Sequence, residues 1–254
     1  KFRTKSDTEV VLYALVHDGT HALEKFQGMF ALALIDTEEK KVLLARDRFG
    51  IKPAYFITHN NQFYFSSEVN AFKPWINLKP DMTSVSAFLS GHGGAHASHS
   101  FYDNVYSLKP GMYIEVSSDL ALKEQSFFQI TDFLDEEYQC KLNTSSDTEI
   151  VDHFEELLVS SVTSHLLSDA PIGALCSGGV DSSLILAIAA KQNPALQLFH
   201  SDVVGRNSEK EAASLLAEHL KLELHAVAVR DQDFITDMPR VTDHYGQPFL
   251  YHPN

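Results

Sequence analysis

The chain has 254 residues, 44% of them apolar and 11% aromatic, enough to bury one large core or two of ordinary size. Its 34 acidic residues outnumber 20 basic ones, a formal net charge of −14, which excludes a broad nucleic-acid or anionic-membrane surface and requires any anionic ligand to be held by a local site. Two cysteines, Cys140 and Cys176, are too few for a disulfide framework and lack zinc spacing; with neither a membrane span nor a secretory leader evident, a reducing, cytoplasmic setting is expected.

In chain order, "SDTEVVLYALVHDG" predicts a helix with Ser6 or Asp7 as N-cap and Val10, Val11, Ala14 and Leu15 on one face. Four apolar or alternating runs follow, at 29–37, 41–47, 54–59 and 62–68, separated by "DTEEK" and "HNN", which predicts an antiparallel meander. The loop "SGHGGAHASHS" and a strand pair around "GMYIEV" come next. His92, His96 and His99 offer imidazoles without a nearby carboxylate to orient them, so no metal site is expected there.

The polar stretch 129–148 predicts a linker between two domains, 1–128 and 149–254. Beyond it the period changes. Ile150, Phe154, Leu157, Leu158 and Val162 have helical spacing, after which strands and helices alternate through "PIGALC", "SSLILAIAAKQ", "LQLFHSDVV", "SEKEAASLLAEHLK", "ELHAVAV" and a helix from "DQDFITDM". That alternation predicts a parallel sheet with helices on its faces.

"CSGGVDSS", 176–183, stands between the first strand and the first helix of that series, where ligands bind in parallel sheets. Adjacent glycines let backbone N–H groups approach a ligand, the helix start adds its dipole, and three serines add hydroxyls. Asp181 is unsuited to touching phosphate and suited to a bridging magnesium ion. A plain strand-to-helix turn with serine caps remains open at this point. The loop lacks the lysine of a Walker A sequence, so a P-loop NTPase is excluded, and it lacks GxGxxG.

"SGGVDSS" resembles the pyrophosphate loop of the ATP-pyrophosphatases, and with "APIGALC" before it resembles asparagine synthetase and its relatives. Independently, "LEKFQGMFALALIDTEEKKVLLARDRFGIKPAYF", "FSSEVNAFK" and "YDNVYSLKPGMYIEV" are similar, in order, to the glutamine amidotransferase domain of the same family. The resemblance implies an α+β N-terminal-nucleophile amidotransferase domain of αββα layers, partial here, followed by a doubly wound parallel-sheet α/β ATP-pyrophosphatase domain. It implies a ligase that adenylates a carboxylate with ATP, releasing pyrophosphate, and transfers ammonia from glutamine, with aspartate or another carboxylate as acceptor. ATP and magnesium are the implied cofactors, the partners are small molecules, and a homodimer is compatible with the family.

By residue, the resemblance assigns Ser177, Gly178, Gly179, Asp181, Ser182 and Ser183 to ATP pyrophosphate, Asp181 to magnesium, and Leu175 and Val204 (with Val203) to the adenine side. Leu175 reads first as sheet core. Asp7 is implied to meet the amino group of glutamine, and it can cap its helix at the same time. Arg46, Asp47, Gly50, Lys52 and Glu68 read as scaffold, Cys176 as a buried apolar residue, and Ser208 with Glu209 as a cap and first-turn acid. Asp202 departs from the family's usual "hSvGf" strand, and Gln247 stands where Glu is frequent. The nucleophilic N-terminal cysteine of the family is not among these residues, nor is its later "SGEGxDE" loop; the chain is therefore expected to be a piece of a longer enzyme that does not itself hydrolyse glutamine. A non-catalytic nucleotide-binding homologue or an adenylating enzyme using free ammonia are the alternatives.

Overall fold

The computed structural model describes residues 2–91, 95, 98–205 and 208–248. They divide into two compact units, one of Lys1–Leu134 with Arg240–Asn254 and one of Asp135–Pro239.

The first unit is built on two antiparallel sheets. One has the order β1 (Ala31–Asp36), β2 (Lys41–Arg46), β6 (Met112–Val116), β7 (Leu122–Ser126); the other has β4 (Gln62–Ser66), β3 (Tyr55–His59), β5 (Tyr106–Ser107). Successive side chains of a strand point to opposite faces. Leu43 and Ala45 of β2 and Tyr113 of β6 therefore pack under α1 (Asp7–Asp18) and the 3₁₀ turn Gly19–Lys25, while Leu44, Ile114 and Val116 pack against Ala54, Phe56 and Phe63 of the second sheet's side. Ile57, on the far face of β3, joins Val69 and Phe72 of the 3₁₀ turn Val69–Phe72. The layers run helical, sheet, sheet, helical. Val11, Ala14 and Leu15 bury the expected face of α1, whereas Val10 stays 49% exposed. Helix α2 (Met82–Leu89) was not legible in the sequence; Asp81 caps it, accepting from the Thr83 and Ser84 N–H groups, and its other carboxylate oxygen lies 3.1 Å from His99 Nδ1. The carboxylate that the histidine-rich loop lacks in sequence is thus supplied from 18 residues upstream. His92 and His96 lie outside the described residues.

The end of β2 is held by a buried carboxylate and a half-buried guanidinium, each satisfied mainly by backbone groups. Asp47, 1% exposed, accepts from the N–H groups of Phe30, Phe49, Ile51 and Lys52 at 3.3, 3.1, 3.0 and 2.9 Å. Arg46 donates to the carbonyls of Lys52, Leu108 and Gly50 and to Ser107 Oγ. Between them they shape "RDRFGIK" into a turn whose Gly50, at φ +66°, has no room for a side chain: a Cβ would stand 2.8 Å from Pro110 Cγ. Near the other end of this unit, Asn70 Nδ2 donates to the carbonyls of Asp243 and His244, and Gln247 Nε2 donates to the Tyr55 hydroxyl.

In the second unit, the stretch expected as a linker carries structure: the 3₁₀ turn Ile130–Phe133 closes the first unit and α3 (Glu136–Thr144) opens the second, its first N–H groups capped by Asp135. A helix this polar has no apolar stripe to betray it. Helix α4 (Asp147–His165) starts at a capping box in which Ser146 and Glu149 satisfy each other's backbone N–H. Only part of its predicted stripe is covered: Leu158 and Val162 join the core, but Ile150, Phe154 and Leu157 remain 38%, 56% and 55% exposed.

A parallel three-stranded sheet follows, in the order β10 (Leu224–Val229), β9 (Gln197–Val203), β8 (Gly173–Leu175), linked by α5 (Val180–Gln192) and α6 (Lys210–Leu220). Both crossovers advance the same way across the sheet, so right-handed connections put α5 and α6 on one face, where they share a core with Leu196 and Leu198. Among the described residues one winding direction of the expected doubly wound sheet is present, and Leu175, Phe199 and Val227 are 83%, 40% and 64% exposed. Helix α7 (Asp231–Tyr245), with Pro239 inside it, follows β10.

Candidate functional site

The C-terminal ends of β8 and β9 and the first turn of α5 bring the predicted loop residues together. Cys176 closes β8, its N–H donating to the Phe199 carbonyl at 2.8 Å; its side chain is 2% exposed and packs beneath α6, where burial pushes the thiol's pKa up. The chain then turns through Gly178 at φ +80° and enters α5 at Gly179, whose backbone is extended and whose helix start has no side-chain cap. Gly178 is pressed against α6: a Cβ there would lie 2.7 Å from Ala212 Cβ and 2.7 Å from Ala213 N. Only glycine meets both the left-handed backbone and the close approach.

The serines form a closed ring. Gly179 N–H donates to Ser177 Oγ at 3.3 Å, Ser177 and Ser182 hydroxyls meet at 2.8 Å, and Ser182 Oγ donates to the Gly179 carbonyl at 3.0 Å. Because Ser182 has one hydrogen and gives it to Gly179, Ser177 is the donor between the two hydroxyls. Ser183 Oγ also donates to the Gly179 carbonyl, at 2.7 Å. Ser182 and Ser183 are therefore not N-caps; they bond back to the carbonyl that precedes the helix. Asp181 lies exposed in the first turn of α5.

Leu175 and Val204 stand at the same C-terminal edge of the sheet, 83% and 52% exposed. The sheet-core reading of Leu175 is overturned, since the face it points to is open among the described residues. Val204 is anchored only through its backbone, its N–H donating to the Val229 carbonyl at 3.0 Å. Asp7 belongs to the other unit. Ser6, not Asp7, caps α1, accepting from Thr8 N–H, which leaves the exposed Asp7 carboxylate with two long contacts of 3.4 Å, from the Ser6 and Thr8 hydroxyls.

Two residues missed as site components stand on β9. Its burial alternates, with Leu198, His200 and Asp202 toward the core. Asp202 accepts from Ser208 Oγ at 2.8 Å and pairs with Lys210 Nζ at 3.1 Å, and those two partners, the Ser208 hydroxyl first, hold its carboxyl below the usual carboxylate range. Ser208 thus ties the β9–α6 connection to Asp202 while its hydroxyl accepts, at 3.4 Å, from the N–H of Lys210 that opens α6. His200 Nδ1 lies 2.7 Å from the Cys176 carbonyl. Polar residues in the core phase of an apolar strand were the signal available in sequence.

The donor set suits magnesium in one respect: Asp181 offers an exposed carboxylate beside an anion-receptive helix start, and magnesium typically takes one or two carboxylates plus phosphate oxygens and water. Among the described residues no group of three or more His, Cys, Asp or Glu is arranged to hold a metal by itself.

The family model for the glutamine amidotransferase domain matches residues 1–128, and that for asparagine synthase matches 153–253. The chain belongs to the asparagine synthetase family. It is 28% identical over 249 residues to asparagine synthetase [glutamine-hydrolyzing] 1 of Bacillus subtilis, covering 97% of this chain and 38% of that protein. It is 30% identical over 237 residues to asparagine synthetase [glutamine-hydrolyzing] 2 of the same organism, covering 89% and 31%. The chain therefore spans about a third of the length of these curated relatives. A glutamine PRPP amidotransferase structure from B. subtilis aligns over 90% of this chain and 56% of that one at 14% identity, with a TM-score of 0.37. The mixed α/β character of both units accords with the matched domains. No helix among the described residues is long and apolar enough to cross a membrane.

Proposed function

We propose that this chain is part of a glutamine-dependent asparagine synthetase-like ligase: residues 1–128 belong to an amidotransferase domain of the N-terminal-nucleophile type, and 149–254 to a doubly wound ATP-pyrophosphatase domain, with 129–148 between them. The observation that supports this best is the preorganised loop 176–179 with Gly178 wedged on α6, at the sheet edge where this domain type holds ATP. In this reading the N–H groups of the loop and of the α5 start hold the pyrophosphate of ATP. The Ser177 and Ser182 hydroxyls, paired in the free chain, turn outward to phosphate oxygens, with Ser183 beside them. Leu175 and Val204 supply apolar surface to the adenine, and Asp181 holds magnesium. Bound magnesium supplies positive charge for the departing pyrophosphate. The acceptor carboxylate, aspartate or a relative, attacks the α-phosphorus and pyrophosphate leaves; ammonia from glutamine then displaces AMP. Asp7 receives the amino group of glutamine. We place the enzyme in the cytoplasm, acting on small molecules, with a homodimer as its compatible assembly.

Titration calorimetry of the chain with ATP and magnesium tests this. Asp181→Ala should weaken binding about tenfold, as expected for loss of one charge-assisted ligand. Equal affinity would remove Asp181 from the metal role, and no binding by the unaltered chain would sink the reading.

A further inference from the structure

We infer that His200 is a positioning residue that aims the Ser177 backbone N–H of the phosphate loop; the inference rests on the pyrophosphate reading above. Packing alone would be served by another aliphatic residue at this point of β9, two residues after Leu198, and a buried polar group needs a hydrogen-bond partner to be tolerated. His200 is 6% exposed, and Nδ1 has that partner in the Cys176 carbonyl at 2.7 Å. A carbonyl only accepts, so Nδ1 carries the hydrogen and donates it. Nε2 is buried with no partner among the described residues, so the Cys176 bond is what orients the ring.

The consequence lies one atom further on. Cys176 is the last residue tied into the sheet, its N–H bonded to the Phe199 carbonyl. In a planar trans peptide the C=O and the following N–H point in opposite directions. His200 draws the Cys176 carbonyl toward the core, so the Ser177 N–H is turned away from the core, at a residue that is exposed. From that starting plane the chain passes through Gly178 at φ +80° to the Gly179 helix start. The Ser177 N–H thus takes its direction from one peptide plane. The sheet holds the preceding peptide through the Cys176 N–H, and His200 holds this one through the carbonyl. Without the imidazole donor the peptide is free to rotate about its flanking bonds, and the Ser177 N–H loses its fixed aim before any ligand arrives.

His200→Asn and His200→Gln separate this role from mere filling of the core. The Asn amide falls where Nδ1 stands and retains the donor, whereas the Gln amide falls near Nε2. ATP with magnesium is titrated into the unaltered chain and both variants, and thermal melting is recorded alongside. His200→Asn is expected to bind within about threefold of the unaltered chain and His200→Gln about tenfold or more weaker, the loss of one buried hydrogen bond. Equal affinity of the two variants overturns the assignment. Failure of the unaltered chain to bind ATP sinks the pyrophosphate reading instead, and this proposal with it. Should a variant lose cooperative melting, hydrogen exchange of the unaltered chain decides: ATP with magnesium should slow exchange at the Ser177 amide, and unchanged exchange there overturns the proposal.

Discussion

Replacing Asp47 with Ala tests whether a buried carboxylate, and not the apolar core alone, holds the first unit's sheets in register with the turn after β2. Four backbone N–H groups lose their acceptor at once. A hydrogen bond to a charged acceptor contributes about 1.5–3 kcal/mol, but Phe49 and Ile51 are 67% and 51% exposed, so their N–H groups regain water; about 1 kcal/mol for each of the four is the sounder figure. The expected loss is about 4 kcal/mol. A unit of this size unfolds with an entropy of about 0.31 kcal/mol/K, which converts that loss to a fall in Tm of about 13 °C. Calorimetric scans of the two proteins read it directly, and a fall below about 3 °C would refute the reasoning. The same site gives a pH signature. Burial by itself would raise the Asp47 carboxyl's pKa, yet the N–H groups of Lys52, Ile51, Phe49 and Phe30 outweigh it and hold the carboxyl below its ordinary value. A depressed carboxyl contributes stability that is present above its unfolded pKa of about 3.9 and lost as pH falls through the folded value. Asp47→Asn lacks that titration, so its Tm should decline less steeply than the unaltered protein's below about pH 4.

Gly178→Ala should both lower the melting temperature of the second unit and weaken ATP binding by more than about tenfold, because the left-handed backbone costs about 1 kcal/mol and the new Cβ meets α6 at 2.7 Å. Gly179→Ala is the contrast: its φ is −70° and its Cβ meets only Ser177 Oγ, at 3.5 Å, so indistinguishable behaviour of the two variants in calorimetry would contradict the loop geometry. Ser146→Ala removes one half of the α4 capping box and should cost the second unit about 1 kcal/mol in urea denaturation, with Ser146→Gly costing a few tenths; an unchanged midpoint for the alanine variant would count against the cap.

Much of this was legible in one dimension because the interactions responsible are local. The 3.6-residue period of α1, the apolar run of β2 and the glycine pair before α5 each depend on neighbours a few residues apart, and each is where the pattern places it. Helix α3 is too polar to show an apolar stripe, and α2, although Met82, Val85 and Leu89 have helical spacing, is only eight residues long. The stripe on α4 misled in the other direction, since helical spacing says which residues share a face and nothing about how much of that face meets a partner.

The sequence alone determined the kind of site: a glycine–serine loop with one acid, at a strand-to-helix junction, in a chain whose two halves carry one family's motifs in order. Tertiary structure alone decided how that loop is held. Gly178 must be glycine because α6, more than 30 residues later in sequence, passes against it. The Cys176 carbonyl is fixed by His200, 24 residues away, and the strand end by Asp202 with Lys210. Such contacts join residues that chain entropy keeps apart until the sheet assembles, so no local pattern records them.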